Sequence, residues 1–255
     1  MYDLATRKHA LALVAQGRSL NSVSRQTGVS RWCLRHWQQR LHPKQRYAAC
    51  ARCTSPPGLP SDAAAYSYLL GLYLGDGCIS RLARTHMLRV ACADAWPGLI
   101  DACEDAMRRV RPQNHVFRVQ RPGCVNVTAY SSHWPCLFPQ HGPGKKHQRR
   151  IELERWQQEV VGAHPWELVR GLVHSDGCRI TNWTTRTVGG RPKRYEYPRY
   201  FFTNSSEDIV RLYTRTLDGL GVEWTSTRHR SGGDSVSVAR RTSVALMDAR
   251  IGPKY

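Results

Sequence analysis

Acidic residues are scarce. The 255-residue chain sets only 19 Asp and Glu against 38 Lys and Arg, a formal net charge of +19. A field of that sign favours a polyanion, with nucleic acid the first candidate. Long apolar runs are also missing. None approaches the roughly 18 residues of a membrane span, and the N-terminus has no signal-peptide core. The expectation is a cytoplasmic, nucleoid-associated protein with no membrane partner. The nine cysteines (33, 50, 53, 78, 92, 103, 124, 136 and 178) are odd in number and scattered through predicted helices and strands. That scatter argues against a secreted disulfide framework and suits reduced thiols. Ligands to complete Cys50-Ala-Arg-Cys53 are wanting too, since no second C-x2-C occurs and His42 and Cys103 are only conceivable partners. Unligated thiols are therefore preferred there to a structural Zn²⁺ site.

What is present is a globular chain, 41% hydrophobic and with 8 Trp. Residues 1–41 read as three short helices. Ala5 to Gln16 is amphipathic and stops at Gly17, Leu20 to Thr27 follows, and Gly28 makes a turn. Ser30 then suits the N-cap of a helix running to about Gln39. Short helix, glycine turn and helix is the helix-turn-helix order. GVSRWCLRHWQQR resembles the recognition-helix region of transposase- and resolvase-like helix-turn-helix domains. The resemblance implies a small core of Val23, Val29, Leu34 and Trp37. Arg31, Trp32, Arg35, His36, Gln38 and Gln39 are then available to DNA. Up to Cys53 there are ten basic residues and one acid. Residues 42–64 read as a basic, Pro-rich linker that contains the C-x2-C pair.

From residue 66 the chain repeats. The first copy reads as a helix (66–76), strands (78–82, 87–93), a helix (96–110), strands (114–120, 123–130) and a short helix from 131. The second reads as a helix (165–176), strands (178–188, 195–203), a helix (205–220), strands (222–230, 234–240) and a helix from 242. LLGLYLGDGC (69–78) matches VRGLVHSDGC (169–178), and VNVTAYSS with HGPGKK (125–146) matches VSVARRTS with IGPKY (236–255). Asp76 and Asp176 are one hundred residues apart, and the second copy is about ten residues longer, near Arg186 to Arg194. A duplication of this kind argues for two pseudo-symmetric halves, 65–145 and 163–255, joined by a linker at 146–162.

Over about 190 residues, 66–255, this repeat resembles the LAGLIDADG homing endonucleases and their relatives. Leu69 to Gly77 keeps the motif's Leu, Gly, Leu and terminal Asp-Gly. Val169 to Gly177 keeps Gly171, Leu172, Asp176 and Gly177, but has Arg170, His174 and Ser175 where small or apolar residues are usual. The resemblance implies an α+β fold of two αββαββα halves that form a DNA-binding saddle, beside a small all-α N-terminal domain. It implies a monomer with internal pseudo-two-fold symmetry. The motif helices pack through Gly71, Gly75, Gly171 and Ser175, where small residues let backbones approach closely.

The same resemblance implies that Asp76 and Asp176 are catalytic and hold Mg²⁺ (or Mn²⁺) together with backbone near Gly75 and Ser175. The metal would polarise a phosphate and generate hydroxide, hydrolysing phosphodiester bonds in duplex DNA. For DNA contact it implies Arg81, Arg89, Arg118 and Arg121, then Lys145 and Lys146 between the halves. In the second half it implies Arg179, Arg186, Arg194, Arg228, Arg230, Arg240 and Arg241. The family also uses a basic residue at its active site, for which Arg240 or Arg241 is the candidate. The alternative is a catalytically inactive LAGLIDADG-type DNA-binding transcriptional regulator.

Overall fold

The computed structural model describes residues 4–39, 60, 62–228 and 233–255. The chain divides into an N-terminal unit, Met1–Ala49, and a larger unit, Cys50–Tyr255. Three helices make up the first: α1 (Leu4–Ala15), α2 (Leu20–Thr27) and α3 (Arg31–Gln39). The Ser19 hydroxyl accepts from the Ser22 amide to begin α2, and Gly28, at φ 68°, ends it in the left-handed region. Ala10, Leu13, Val23, Val29, Leu34 and Trp37 close its core.

The larger unit runs α4 (Ala63–Leu74), β1 (Gly77–Arg81), β2 (His86–Ala93), α5 (Pro97–Val110), β3 (Val116–Arg121), β4 (Cys124–Tyr130) and α6 (Trp134–Leu137). After α7 (Arg155–Ala163) the order recurs as α8 (Pro165–Asp176), β5 (Gly177–Val188), β6 (Arg191–Asn204), α9 (Glu207–Gly219), β7 (Thr225–Arg228), β8 (Asp234–Val238) and α10 (Arg241–Arg250). Each half is thus αββαββα, and its four strands form an antiparallel sheet of the same order, β1-β2-β4-β3 and β5-β6-β8-β7. The α+β class and the paired halves expected from the repeat are both present.

Several element starts differ from the sequence pattern, among them those of α4 and β6. α4 begins three residues early because Asp62 caps it, accepting from the Ala65 amide at 2.8 Å while Arg109 holds the other carboxylate oxygen at 2.6 Å. β6 begins at Arg191 rather than 195. Pro192 and Pro198 interrupt the strand propensity there, yet a strand without a third partner has amides that need not donate to a ladder.

Alternation sorts each sheet into two faces. In the first, Ile79, Leu88, Val90, Cys92, Val125, Val127 and Ala129 are buried under the helices. In the second, Tyr200, Phe202, Val236 and Val238 are. Residues one step along each strand point to the opposite, helix-free face. α4 is buried from Ala65 to Leu74, which is why its sequence is apolar all round.

Candidate functional site

The two halves meet where α4 lies against α8. A Cβ added at Gly71 would stand 2.6 Å from the Leu168 carbonyl oxygen, 2.7 Å from the Leu172 nitrogen and 2.8 Å from the Gly171 Cα. A Cβ at Gly171 would meet the Tyr68 carbonyl in turn. One turn further, Gly75 faces Ser175, whose hydroxyl turns back on the Gly171 and Leu172 carbonyls at 3.1 and 3.0 Å. The small-residue interface read from the motif is this contact. The motif's other two departures, Arg170 and His174, also have a place here. Tyr68 Oη and His174 Nδ1 share a hydrogen bond of 2.9 Å, and Arg170 stacks 4.2 Å above the Tyr68 ring. Burial pushes His174 down to about 4, with Arg170 and Lys254 adding to the effect, so the imidazole is neutral at pH 7.

Beyond this contact the chain brings Asp76 and Asp176 together. Asp176 is the last residue of α8 and Asp76 follows α4 by two positions. Burial raises both carboxyls, and Asp76 raises Asp176 further. Lys146 and Lys254 act in the opposite direction on each.

The two lysines are arranged as a pair. Lys146 Nζ donates to the carbonyls of Tyr73 and Gly75 at 2.6 and 2.7 Å, and Lys254 Nζ donates to that of Ser175 at 2.9 Å. Gly75 and Ser175 are matching positions of the repeat, so each tail lysine closes the C-terminal end of its own half's motif helix. Unsatisfied carbonyls and the negative helix pole favour a cation there. Of the two carboxylates, Asp176 is the stronger attraction for Lys146 and Asp76 for Lys254, each across the pseudo-two-fold axis. Burial still outweighs that attraction and pushes Lys146 down to about 8.

These lysines revise two expectations. Lys146 is not a surface phosphate contact from a linker, since it is anchored inside the site. Arg240 and Arg241, the candidates for an auxiliary basic residue, are not among the groups acting on the two aspartates. Arg240 precedes α10 and pairs with Glu223 at 2.5 Å, and Arg241 is the first residue of that helix. The sequence carried part of the signal: the Gly-Pro-Gly-Lys-Lys and Gly-Pro-Lys tails close the two copies at matching places, without singling out Lys146 from Lys145.

A cleft of about 500 Å³ opens beside Asp176, lined among others by Lys145, Lys146, His147, Arg149 and Asn204. A smaller one of about 80 Å³ holds Asp76, His174 and Lys254. The halves are not identical. Asn204 Nδ2 donates to Asp176 at 2.6 Å, whereas Cys92, at the matching register position of β2, has no such amide.

The donors here are hard oxygens: two carboxylates and the carbonyls of Gly75 and Ser175. Among the described residues no group of three or more His, Cys, Asp or Glu converges to hold a metal ion. Such a set fits a cation like Mg²⁺ or Mn²⁺, which keeps waters and takes remaining ligands from a substrate phosphate. It does not fit a closed structural zinc site. Cys50, Cys53 and Arg230, with residues 42–59 of the expected linker, lie outside the described residues.

Strand register divides the candidate contact residues. Arg89 and Arg121 share a face with Cys78, Thr128 and Cys124 and point to the open side, as does Arg186, opposite Lys193. Arg118 and Arg179 do not. Arg118 pairs across to Val127 and bridges Asp101, at 2.6 Å, and Glu104 on α5. Arg179 pairs across to Tyr200 and makes a two-pronged contact of 2.6 and 2.8 Å with Asp248 on α10. Arg228, bound to Glu207 at 2.7 Å, and Arg81, opposite His86, take the same helix-side alternation. Arg194 does too, and it pairs with Glu196 at 2.8 Å. Reading these five as saddle residues is corrected by the two-residue period, which sends every second side chain to the other face. On α3, Arg31, Trp32, Arg35, His36 and Gln38 are all exposed, and Trp32 stacks on His36 at 5.3 Å between ring centres.

No protein-family model matches the sequence, and no curated protein is significantly similar to it. Solved structures are similar in fold. The homing endonuclease I-DmoI in complex with DNA and Mn is 15% identical, with 76% of this chain and 98% of that one covered, at a TM-score of 0.47. The LAGLIDADG meganuclease I-AabMI, bound to uncleaved DNA, is 11% identical over 72% of this chain and 82% of that one, at 0.47. The N-terminal LAGLIDADG domain of DUF199/WhiA is 14% identical over 76% and 87%, at 0.46.

Proposed function

We propose that the chain is a site-specific endonuclease that binds duplex DNA across its two open sheet faces and hydrolyses one phosphodiester on each strand. The observation that carries this reading is the meeting of Asp76 and Asp176 at the ends of α4 and α8, with Lys146 donating to the Gly75 carbonyl and Lys254 to that of Ser175. The strands of a duplex are themselves related by a two-fold axis, so a pseudo-symmetric pair of sites can address both. Asp76 and Asp176 would hold a divalent cation, which supplies polarisation of the phosphate and a hydroxide at neutral pH. Lys146 and Lys254 fix the ends of α4 and α8, and so the direction of both carboxylates. Their ammonium groups also offset the negative charge that two aspartates and a phosphate bring to one place. Asn204 orients Asp176 by donating to it. α3 adds an exposed basic and aromatic surface suited to a second DNA contact.

The reading is tested by selecting bound duplexes from a random library and supplying Mg²⁺ or Mn²⁺. Wild type is expected to linearise a plasmid carrying the selected site, while Asp76→Asn and Asp176→Asn bind it equally and leave it intact. One observation favours a second reading, a DNA-binding regulator that does not cut. Lys146 and Lys254 already donate to the Gly75 and Ser175 carbonyls, so the helix ends are neutralised without a metal. Binding at wild-type strength with no nicking under either metal would establish that reading instead.

A further inference from the structure

Lys146 and Lys254 each stand in a tail that leaves its own half and docks on the other. After Lys146 the chain makes a single 3-10 turn, Lys146–Gln148. Arg149 gathers the loop around it by donating to the carbonyls of Gln140, Gly142 and Gly144 at 3.1, 2.9 and 2.8 Å. Five residues beyond the lysine, the amide of the buried Ile151 donates to an Asp208 carboxylate oxygen at 2.9 Å. Asp208 is the second residue of α9, in the second half. The other tail is the reciprocal case. α10 ends at Arg250 and the chain turns at Gly252, φ 71°. Lys254 then donates to Ser175, and Tyr255 lies on Gly98, the second residue of α5 in the first half. The Leu99 amide donates to the Tyr255 carbonyl at 3.2 Å, and a Cβ added at Gly98 would overlap the Tyr255 ring.

A lysine side chain loses much rotamer freedom when it is fixed, and partial burial of its ammonium opposes the contact further. Bonds to one or two carbonyls face both costs alone unless the backbone beneath the lysine is held elsewhere. The two anchors supply that hold, and they differ in kind. Asp208 is a charged acceptor at a helix N-terminus, where a carboxylate is favoured. Tyr255 is an aromatic ring seated on a residue that has no Cβ to exclude it. Each anchor point lies one residue into the middle helix of its half, so the halves clamp one another's tails across the axis.

We infer that Asp208 and Tyr255 are positioning residues for Lys146 and Lys254 respectively: each pins the tail of one half to the other half and so holds a tail lysine on the end of its motif helix. Through the lysines the two anchors act on the scission of different strands, a consequence that rests on the endonuclease reading above.

The test uses four variants of the full chain. Asp208→Ala removes one anchor, while Asp208→Asn keeps an oxygen that accepts from Ile151. Tyr255→Ala removes the other, while Tyr255→Phe keeps the ring. Two readouts are taken: amide hydrogen exchange by NMR, and strand-resolved cleavage of an end-labelled duplex carrying the selected site. The Gln148 and Arg149 amides donate to the Lys145 and Lys146 carbonyls. Asp208→Ala should speed their exchange by at least about tenfold, the scale of one hydrogen bond to a charged group, and leave residues 251–255 as they were. It should slow the same strand as Lys146→Met, by up to about a hundredfold, as misplacement by an ångström can. Tyr255→Ala should do the reverse, loosening the Gly252 and Lys254 amides and slowing the other strand. The Asn and Phe variants should behave as wild type. Unchanged exchange in both tails overturns the inference, whether or not the chain cuts. So does equal slowing of both strands by each Ala variant, which a merely structural loss would produce. Wild type that never nicks the selected site overturns the endonuclease reading, and the exchange rates alone then decide for or against the anchors.

Discussion

Replacing Gly71 by alanine should destabilise the protein although it improves a helix. By propensity alone the change gains about 1 kcal/mol. Against that, the new Cβ would lie 2.6 to 2.8 Å from three backbone atoms of α8, where 3.4 Å or more is ordinary. Backbone atoms of a buried helix cannot rotate away as a side chain can. α4 and α8 must therefore separate by roughly 0.7 Å, and a gap of 0.5–1 Å forfeits about a quarter to a half of the dispersion attraction along the interface. Overpacking of this kind costs about 1–3 kcal/mol and occasionally more, so after the propensity gain a net loss of about 1 kcal/mol is expected, or roughly 2–4 °C in Tm for a domain of this size. Gly162→Ala is the matched control. It lies inside α7 with nothing within 4 Å of an added Cβ, and it should stabilise by about 0.5–1 kcal/mol. Urea unfolding followed by circular dichroism compares the two. Gly71→Ala at or above wild-type stability would refute the close-contact reasoning, because propensity would then be the only effect at work.

Arg118→Ala and Arg179→Ala should each lower stability by roughly 1 kcal/mol and leave the salt dependence of DNA binding unchanged, whereas Arg89→Ala and Arg121→Ala should do the reverse; parallel melting and salt titrations check both. Lys146→Met and Lys254→Met should each slow scission of one strand more than the other, so that nicked circular plasmid accumulates, which gel electrophoresis of a time course reads directly. His174 is held at about 4 in the fold against an ordinary 6.5, so between those values the unfolded chain binds a proton that the folded chain excludes. Stability should be complete above about pH 6.5 and decline as pH falls toward 4, by up to about 3 kcal/mol, and His174→Gln should flatten that part of the profile.

Much of the fold was legible because it is written twice. Matching Asp-Gly motifs a hundred residues apart define two halves without reference to packing, and strand alternation in Cys124 to Tyr130 and Asp234 to Val238 marks which faces are buried. The aspartate pair followed from the repeat. What did not follow was the partner of each charge. Arg118 and Arg179 look like surface arginines in sequence, and only the pairing with Val127 and Tyr200 turns them toward carboxylates on α5 and α10. Lys146 stands in a run of basic residues, and nothing local distinguishes it from Lys145; its anchoring on Tyr73 and Gly75 is a tertiary fact. Arg170 and His174 looked like faults in the second motif. They instead link the two motif helices through Tyr68, a residue that precedes the first motif by one position.

The central claim is that Asp76 and Asp176 form a cation site shared with the DNA, and its most direct test is the affinity for a selected duplex measured in EDTA and in Ca²⁺. Two buried carboxylates facing phosphates repel them unless a cation intervenes. Wild type should bind at least roughly tenfold more tightly in Ca²⁺ than in EDTA, a difference of about 1.4 kcal/mol, and Asp76→Asn/Asp176→Asn should bind the same in both. Equal wild-type affinity in the two conditions would contradict the claim.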